Sequence, residues 1–267
     1  MSYTYQRFMG QIVITSWEND VITWNEDNGS GGVNVSATIP PAPSLSGAYY
    51  PAALAAEIAT QMTAESVISG DSITYACSVD NDNGTVTITA AAGVFYLKIT
   101  AAETQKLLTG GDVTAGTRGA QAFGWNVDAG YPAAASTQVS DAAPGACWYP
   151  NQPLATYNEG ASESTSVQAV SMGGASVAYD FSGRSDYLKT YDLSYERMNA
   201  ASRAQYEDEF WPYAKAGAEF RYHDDRSSVT YTEMVLTGES ISSTQFERSD
   251  PSLSRWNMPL SMRRYKL

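Results

Sequence analysis

The sequence predicts an α+β fold dominated by β structure: a small helix-plus-hairpin unit, then a C-terminal antiparallel sheet or sandwich with one packed helix. Apolar residues recur every four positions after Tyr50, which marks one face of a helix. They recur every second position in Ile73 to Val79 and Val86 to Ala90, and again in Tyr187 to Tyr195 and Trp256 to Met262, which marks strands with one buried face. Charged residues make up only 17% of the 267, and Ser, Thr, Gly and Tyr are abundant, a composition that favours sheets over long solvated helices. Hydrophobic residues reach 43%, enough to exclude a disordered chain.

In chain order, Gln11 to Trp17, Val21 to Trp24 and Val33 to Ile39 read as short strands of a meander, with a turn at Asn28 to Gly32. Pro40-Pro41-Ala42-Pro43 cannot donate to a ladder and reads as a stiff connector. From Tyr50 to Met62, Leu54, Ile58 and Met62 form one apolar stripe beside Ala55 and Ala59. Pro51 suits the first helical position, so a helix of about three turns is expected. Ile73, Tyr75, Cys77 and Val79 then alternate with smaller residues. Asp80-Asn81-Asp82-Asn83-Gly84 supplies a turn, and Val86, Ile88 and Ala90 return the strand. Val94 to Ile99 predicts a third strand and Ala101 to Leu108 a short helix before Gly110-Gly111, giving one small sheet with a helix across it.

Periodicity fades from Gly110 to Ser164, where Gly, Ala and Pro surround isolated aromatics such as Trp125, Trp148 and Tyr149. Irregular stretches of this length either hide short strands or pack against a neighbouring subunit, and the second is expected for part of this one. Beyond it, Tyr191, Leu193 and Tyr195 share a strand face. Asn199 caps a helix to about Ala216 that carries Tyr206, Phe210, Tyr213 and Ala214 on one side, with Pro212 placed to kink it and Gly217 to stop it. Ala218 to Tyr222 and Val229 to Leu236 read as a hairpin, and Trp256, Met258, Leu260 and Met262 as the inward face of a last strand. The expected organisation is 1–109 (meander plus helix-hairpin unit), 110–164 (irregular segment) and 165–267 (C-terminal β-rich domain with one helix).

A formal net charge of −13 argues against a nucleic-acid partner, and only Arg263-Arg264-Tyr265-Lys266 is locally basic. The first residues lack the basic and apolar regions of a signal peptide, and no apolar run approaches the ~20 residues needed to cross a bilayer. Synthesis and folding in a cytoplasm are therefore expected, with no membrane partner. Cys77 and Cys147, far apart in sequence, do not indicate a disulfide framework.

Chemistry candidates are few. His223, the single histidine, has Asp224 and Asp225 beside it but no nucleophile motif, and reads as a solvated turn residue. Asp80 to Gly84 opens like a calcium loop, yet Ala91 stands where the closing glutamate belongs, so a plain hairpin turn is expected. Gly29 to Gly32 and Gly110-Gly111 match no phosphate-loop pattern. The expectation is no catalytic residue, no cofactor and no metal, with Trp125, Trp148 and Tyr149 in packing or subunit contact in preference to a sugar-stacking platform, and the interface role the one assigned to them.

Tyr50-Pro51-Ala52-Ala53-Leu54-Ala55-Ala56-Glu57-Ile58, followed by Ile73-Thr74-Tyr75 and Gly84-Thr85-Val86-Thr87-Ile88-Thr89, resembles a helix-and-hairpin pattern of structural proteins of tailed bacteriophages. Tyr191 to Arg197, Phe210 to Ala218 and Phe220-Arg221-Tyr222 look like tail-associated virion proteins. The resemblance covers about half the chain, on packing residues alone. It implies a non-enzymatic virion protein that self-associates into a ring and meets other tail proteins, of the tail tip, baseplate or distal-tail type. A receptor- or glycan-binding virion module and a neck- or capsid-associated structural protein remain as alternatives, with an enzyme third.

Overall fold

The computed structural model describes residues 5–16, 18–27, 32–43, 47–98, 106–109, 123–125, 133–152, 154–161, 166–170, 176–180, 189–237, 244–245 and 256–264. It is β-rich, with antiparallel sheets and few helices, as the sequence predicts. The chain separates into two compact units: Arg7–Tyr149 with Ala204–Tyr213, and Met1–Gln6 with Pro150–Arg203 and Ala214–Leu267.

In the first unit the long helix spans Pro51–Ser69, with Pro51 in its first turn. It outruns the expected three turns because the stripe of Leu54, Ile58 and Met62, each fully buried, continues through Ser66. Gly70 ends it at φ 99, a left-handed conformation that glycine adopts without a Cβ penalty. The hairpin Tyr75–Val79 with Val86–Ala90 forms as read, in the register Tyr75↔Ala90 to Val79↔Val86.

The partners of this hairpin differ from expectation. Val94–Leu97 pairs with Val21–Asp27, which also pairs with Val33–Thr38, while Val86–Ala90 takes Thr137–Val139 as its neighbour. The helix thus covers two three-stranded sheets, where one small sheet was expected. Alternation fixes which face of a strand is buried but leaves open which strand lies alongside it. Likewise Ile12–Val13 pairs with Ala48–Tyr49 instead of extending a meander. Of the expected helix Ala101 to Leu108, the described part is Lys106–Thr109, and Leu107 and Leu108 are fully buried in the core of this unit.

The second unit holds an antiparallel sheet in the order Phe220–His223, Thr232–Leu236, Trp256–Arg264, Lys189–Met198, Leu154–Ala161, with Thr244–Gln245 also on Trp256–Arg264. Trp256, Met258, Leu260 and Met262 are all buried, as their spacing predicts. Pro259 fits because the partners on one side of that strand stop at Met262 and resume at Asn257, so its missing N–H lies where no described strand pairs. Ser166–Val170 and Ser176–Asp180 form a separate hairpin.

The helix after Asn199 runs as Ala200–Ala204, a π-helical turn Gln205–Phe210, and Trp211–Ala214. Asn199 caps it, its Oδ1 accepting from Ser202 N–H at 2.9 Å, and Gly217 follows at φ 76. The wide turn precedes Pro212, which cannot donate to the carbonyl four residues back, so the deviation sits where the proline weakens the regular ladder.

The stretch expected to be irregular contains Thr137–Val139, Cys147–Trp148 and Leu154–Ala161. Leu-Ala-Thr-Tyr-Asn-Glu-Gly-Ala has no continuous apolar face, and its strand is specified by pairing with Lys189–Met198.

Candidate functional site

Among the described residues, a buried polar cluster surrounds Glu26, which is fully buried and shares an inward strand face with Ile22 and Trp24. Its Oε1 accepts from Trp24 Nε1 at 2.7 Å and from the Tyr75 hydroxyl at 2.9 Å, while its Oε2 accepts from Ser66 Oγ at 3.1 Å. Ser66 Oγ in turn accepts from Ile73 N–H at 2.8 Å. One carboxylate therefore joins a strand of each sheet to the helix, and its donors supply the compensation a buried carboxylate requires. Burial and the bond to Glu26 push the Tyr75 phenol far above its ordinary value, so it stays a donor. Sequence reading ended the strand at Trp24 and missed this cluster; a carboxylate two positions beyond Trp24, on the apolar face, was the available signal.

The three expected interface residues lie inside the chain. Trp148 is fully buried, with ring centroids 4.8 Å from Phe8, 4.8 Å from Tyr206 and 6.2 Å from Phe210. Trp125, 2% exposed, belongs to the core under the long helix and lies 6.2 Å from Phe123. Tyr149 is 5% exposed, donates its backbone N–H to Gln205 Oε1 at 3.1 Å, and lays its ring over Gly84. None of the three presents a face to solvent, either for a neighbour or as an exposed sugar platform.

His223 is not the solvated turn residue that was expected. It ends a strand, is 4% exposed, faces the Ser228 carbonyl through Nδ1 at 3.1 Å and lies 5.7 Å from the Tyr231 ring. The hairpin turn folds Ser228 and Tyr231, both close in sequence, back over it. Asp225 is occupied locally: its Oδ1 accepts from Ser227 N–H and Oγ at 2.9 and 2.8 Å, and these bonds hold its carboxyl below the ordinary value.

At the Asp80 turn, Asp80 Oδ1 accepts from Asp82 N–H at 2.6 Å and Asn83 Oδ1 from Thr85 N–H at 2.8 Å, while Arg7 donates to Asn81 Oδ1. These side-chain oxygens face the turn's own amides and a guanidinium, the geometry of a hairpin turn. Among the described residues, no group of three or more His, Cys, Asp or Glu is placed to hold a metal ion. Both cysteines are free thiols, and burial pushes Cys147 up to about 12. Gly110, Gly111 and most of Asn28 to Gly32 lie outside the described residues, as do Tyr265 and Lys266 of the basic cluster. No helix among the described residues is long and apolar enough to cross a membrane.

An open cavity of about 140 Å³ lies in the second unit. Tyr157, Tyr191, Tyr222 and Tyr231 line it together with Asp224. Thr230 and Thr232 complete the wall. Tyr157 and Tyr222 come from the first and last strands of the order given above, so the sheet curls enough to bring them to one hollow. Tyr157 and Tyr231 are 46% and 42% exposed, whereas Tyr191 and Tyr222 are buried. Burial raises the Tyr222 phenol well above its ordinary value, and Tyr157, Asp224 and Tyr191 add to the shift. The sequence shows these tyrosines only as scattered strand residues, because their meeting depends on the curl of the sheet.

No protein family, curated protein or solved structure matches the chain.

Proposed function

We propose that this protein is a non-enzymatic structural component of a tailed-phage virion, one that self-associates into a ring at the tail tip or baseplate alongside other tail proteins. The carrying observation is the likeness of its helix-and-hairpin and strand-helix-strand patterns to tail structural proteins. The use of reactive side chains inside the fold supports the non-enzymatic part. Glu26 is enclosed by donors, His223 faces a backbone carbonyl, and Cys147 is a buried thiol. A net charge of −13 suits a chain that stays soluble before assembly and has no general affinity for nucleic acid.

Gold-labelled antibody against the purified chain, imaged on intact virions by negative stain, tests the reading. The expected result is label at the distal end of the tail. Label on the capsid or neck would move the component elsewhere in the particle, and particles that never carry the chain would remove the reading.

A further inference from the structure

We propose that the tyrosine-lined hollow of the C-terminal sheet is a binding site for one ring of a neutral saccharide. Size is the first argument. An enclosed cavity of about 150 Å³ holds a benzene ring, so an open hollow of about 140 Å³ has room to seat one six-membered ring, with its substituents toward the mouth.

Polarity is the second. The wall offers the phenols of Tyr157, Tyr191 and Tyr231 and the hydroxyls of Thr230 and Thr232, while the Tyr222 hydroxyl is itself buried behind the wall. Ser228 Oγ donates to Thr230 Oγ1 at 2.9 Å, which leaves the Thr230 hydroxyl hydrogen to serve an occupant. Each of these groups both donates and accepts, as the hydroxyls of a sugar do, while the ring of the half-exposed Tyr157 adds apolar surface for its C–H edges. A plain hydrocarbon ring would strip water from these hydroxyls and return no hydrogen bond.

Charge is the third argument, and it selects neutrality. The Arg221 guanidinium lies over the Tyr231 ring at 4.0 Å, so a positive charge already occupies that aromatic wall and disfavours a quaternary ammonium guest. Asp224 places a carboxylate in the lining, which accepts strongly from sugar hydroxyls and repels an acidic sugar. The site's partner is thus a neutral glycan end or branch. This inference is independent of the virion reading: a chain that forms rings and binds no sugar fails here alone.

The test is saturation-transfer NMR on the full chain with glucose, galactose, mannose, rhamnose and N-acetylglucosamine as probes, beside glucuronate and tetramethylammonium. The expected result is binding of at least one neutral sugar. It should weaken about tenfold in Tyr157→Ala, a 1.4 kcal/mol loss, and several-fold in Thr230→Val, with both variants melting like the parent because both side chains are exposed. Absence of binding by every neutral probe would overturn the proposal. Binding that both variants leave intact, or preference for glucuronate or tetramethylammonium, would overturn it equally.

Discussion

Replacing Glu26 by alanine perturbs the first unit at the point where both sheets and the long helix share one side chain. The parent carboxylate accepts from Trp24 Nε1, the Tyr75 hydroxyl and Ser66 Oγ, all within 3.1 Å and all buried. Hydrogen bonds to a charged group contribute about 1.5–3 kcal/mol each. They do not sum freely, because the buried charge itself costs desolvation and the loss of one partner from a buried ionic cluster typically costs about 3–5 kcal/mol. A destabilisation of about 4 kcal/mol is therefore expected for Glu26→Ala, a large fraction of the roughly 5–15 kcal/mol that holds a domain together. Glu26→Gln keeps one carbonyl oxygen to serve Trp24 and Tyr75 but turns an amide toward Ser66, and about 2 kcal/mol is expected. Tyr75→Phe removes a single donor at about 1–2 kcal/mol, and its effect should shrink when combined with Glu26→Ala. Urea unfolding followed by far-UV circular dichroism measures the parent, the three single variants and the double variant. If Glu26→Ala shifts stability by less than about 1 kcal/mol, the carboxylate does not hold these elements together.

Three further outcomes follow from packing and titration. Trp148→Ala should destabilise the isolated chain by about 3–5 kcal/mol, since the ring is fully buried against Phe8, Tyr206 and Phe210; an unchanged thermal melt would show that the cluster closes without it. Gly84→Ala should lower the unfolding free energy measured in urea by about 2–4 kcal/mol, because Gly84 has φ +76 and an added Cβ would sit 2.6 Å from Tyr149 Cζ and 2.7 Å from Ala143 Cβ; a neutral result would mean that Tyr149 does not rest on the turn. Unfolded Cys147 ionises near 9.0 and the folded thiol near 12, so the folded chain keeps a proton that the unfolded chain loses between them. The thiol's contribution is complete below about pH 9 and is lost as pH rises toward 12, so melting should fall over that window less steeply in Cys147→Ala; equal slopes would contradict the burial.

Much of the local structure was legible because it is a matter of periodicity. Leu54, Ile58 and Met62, the alternation through Tyr75 and Ile88, and the four inward residues from Trp256 to Met262 each state a buried face directly. What escaped depends on partners distant in sequence. The pairing of Val94–Leu97 with Val21–Asp27 and the strand at Leu154–Ala161 belong to this class. So does the meeting of Tyr157 with Tyr222. The aromatics of the irregular stretch misled for a related reason. Residues such as Trp148 are at home in cores and in interfaces alike, and only the location of Tyr206 and Phe210 decides between them.

The proposed role stands or falls with self-assembly, which sedimentation velocity of the full chain measures across a wide concentration range, with negative-stain imaging of the fastest species. A single closed ring of fixed size that grows in with concentration is the predicted result. A chain that sediments as a monomer at every concentration, or that forms open aggregates without a defined stoichiometry, would contradict it.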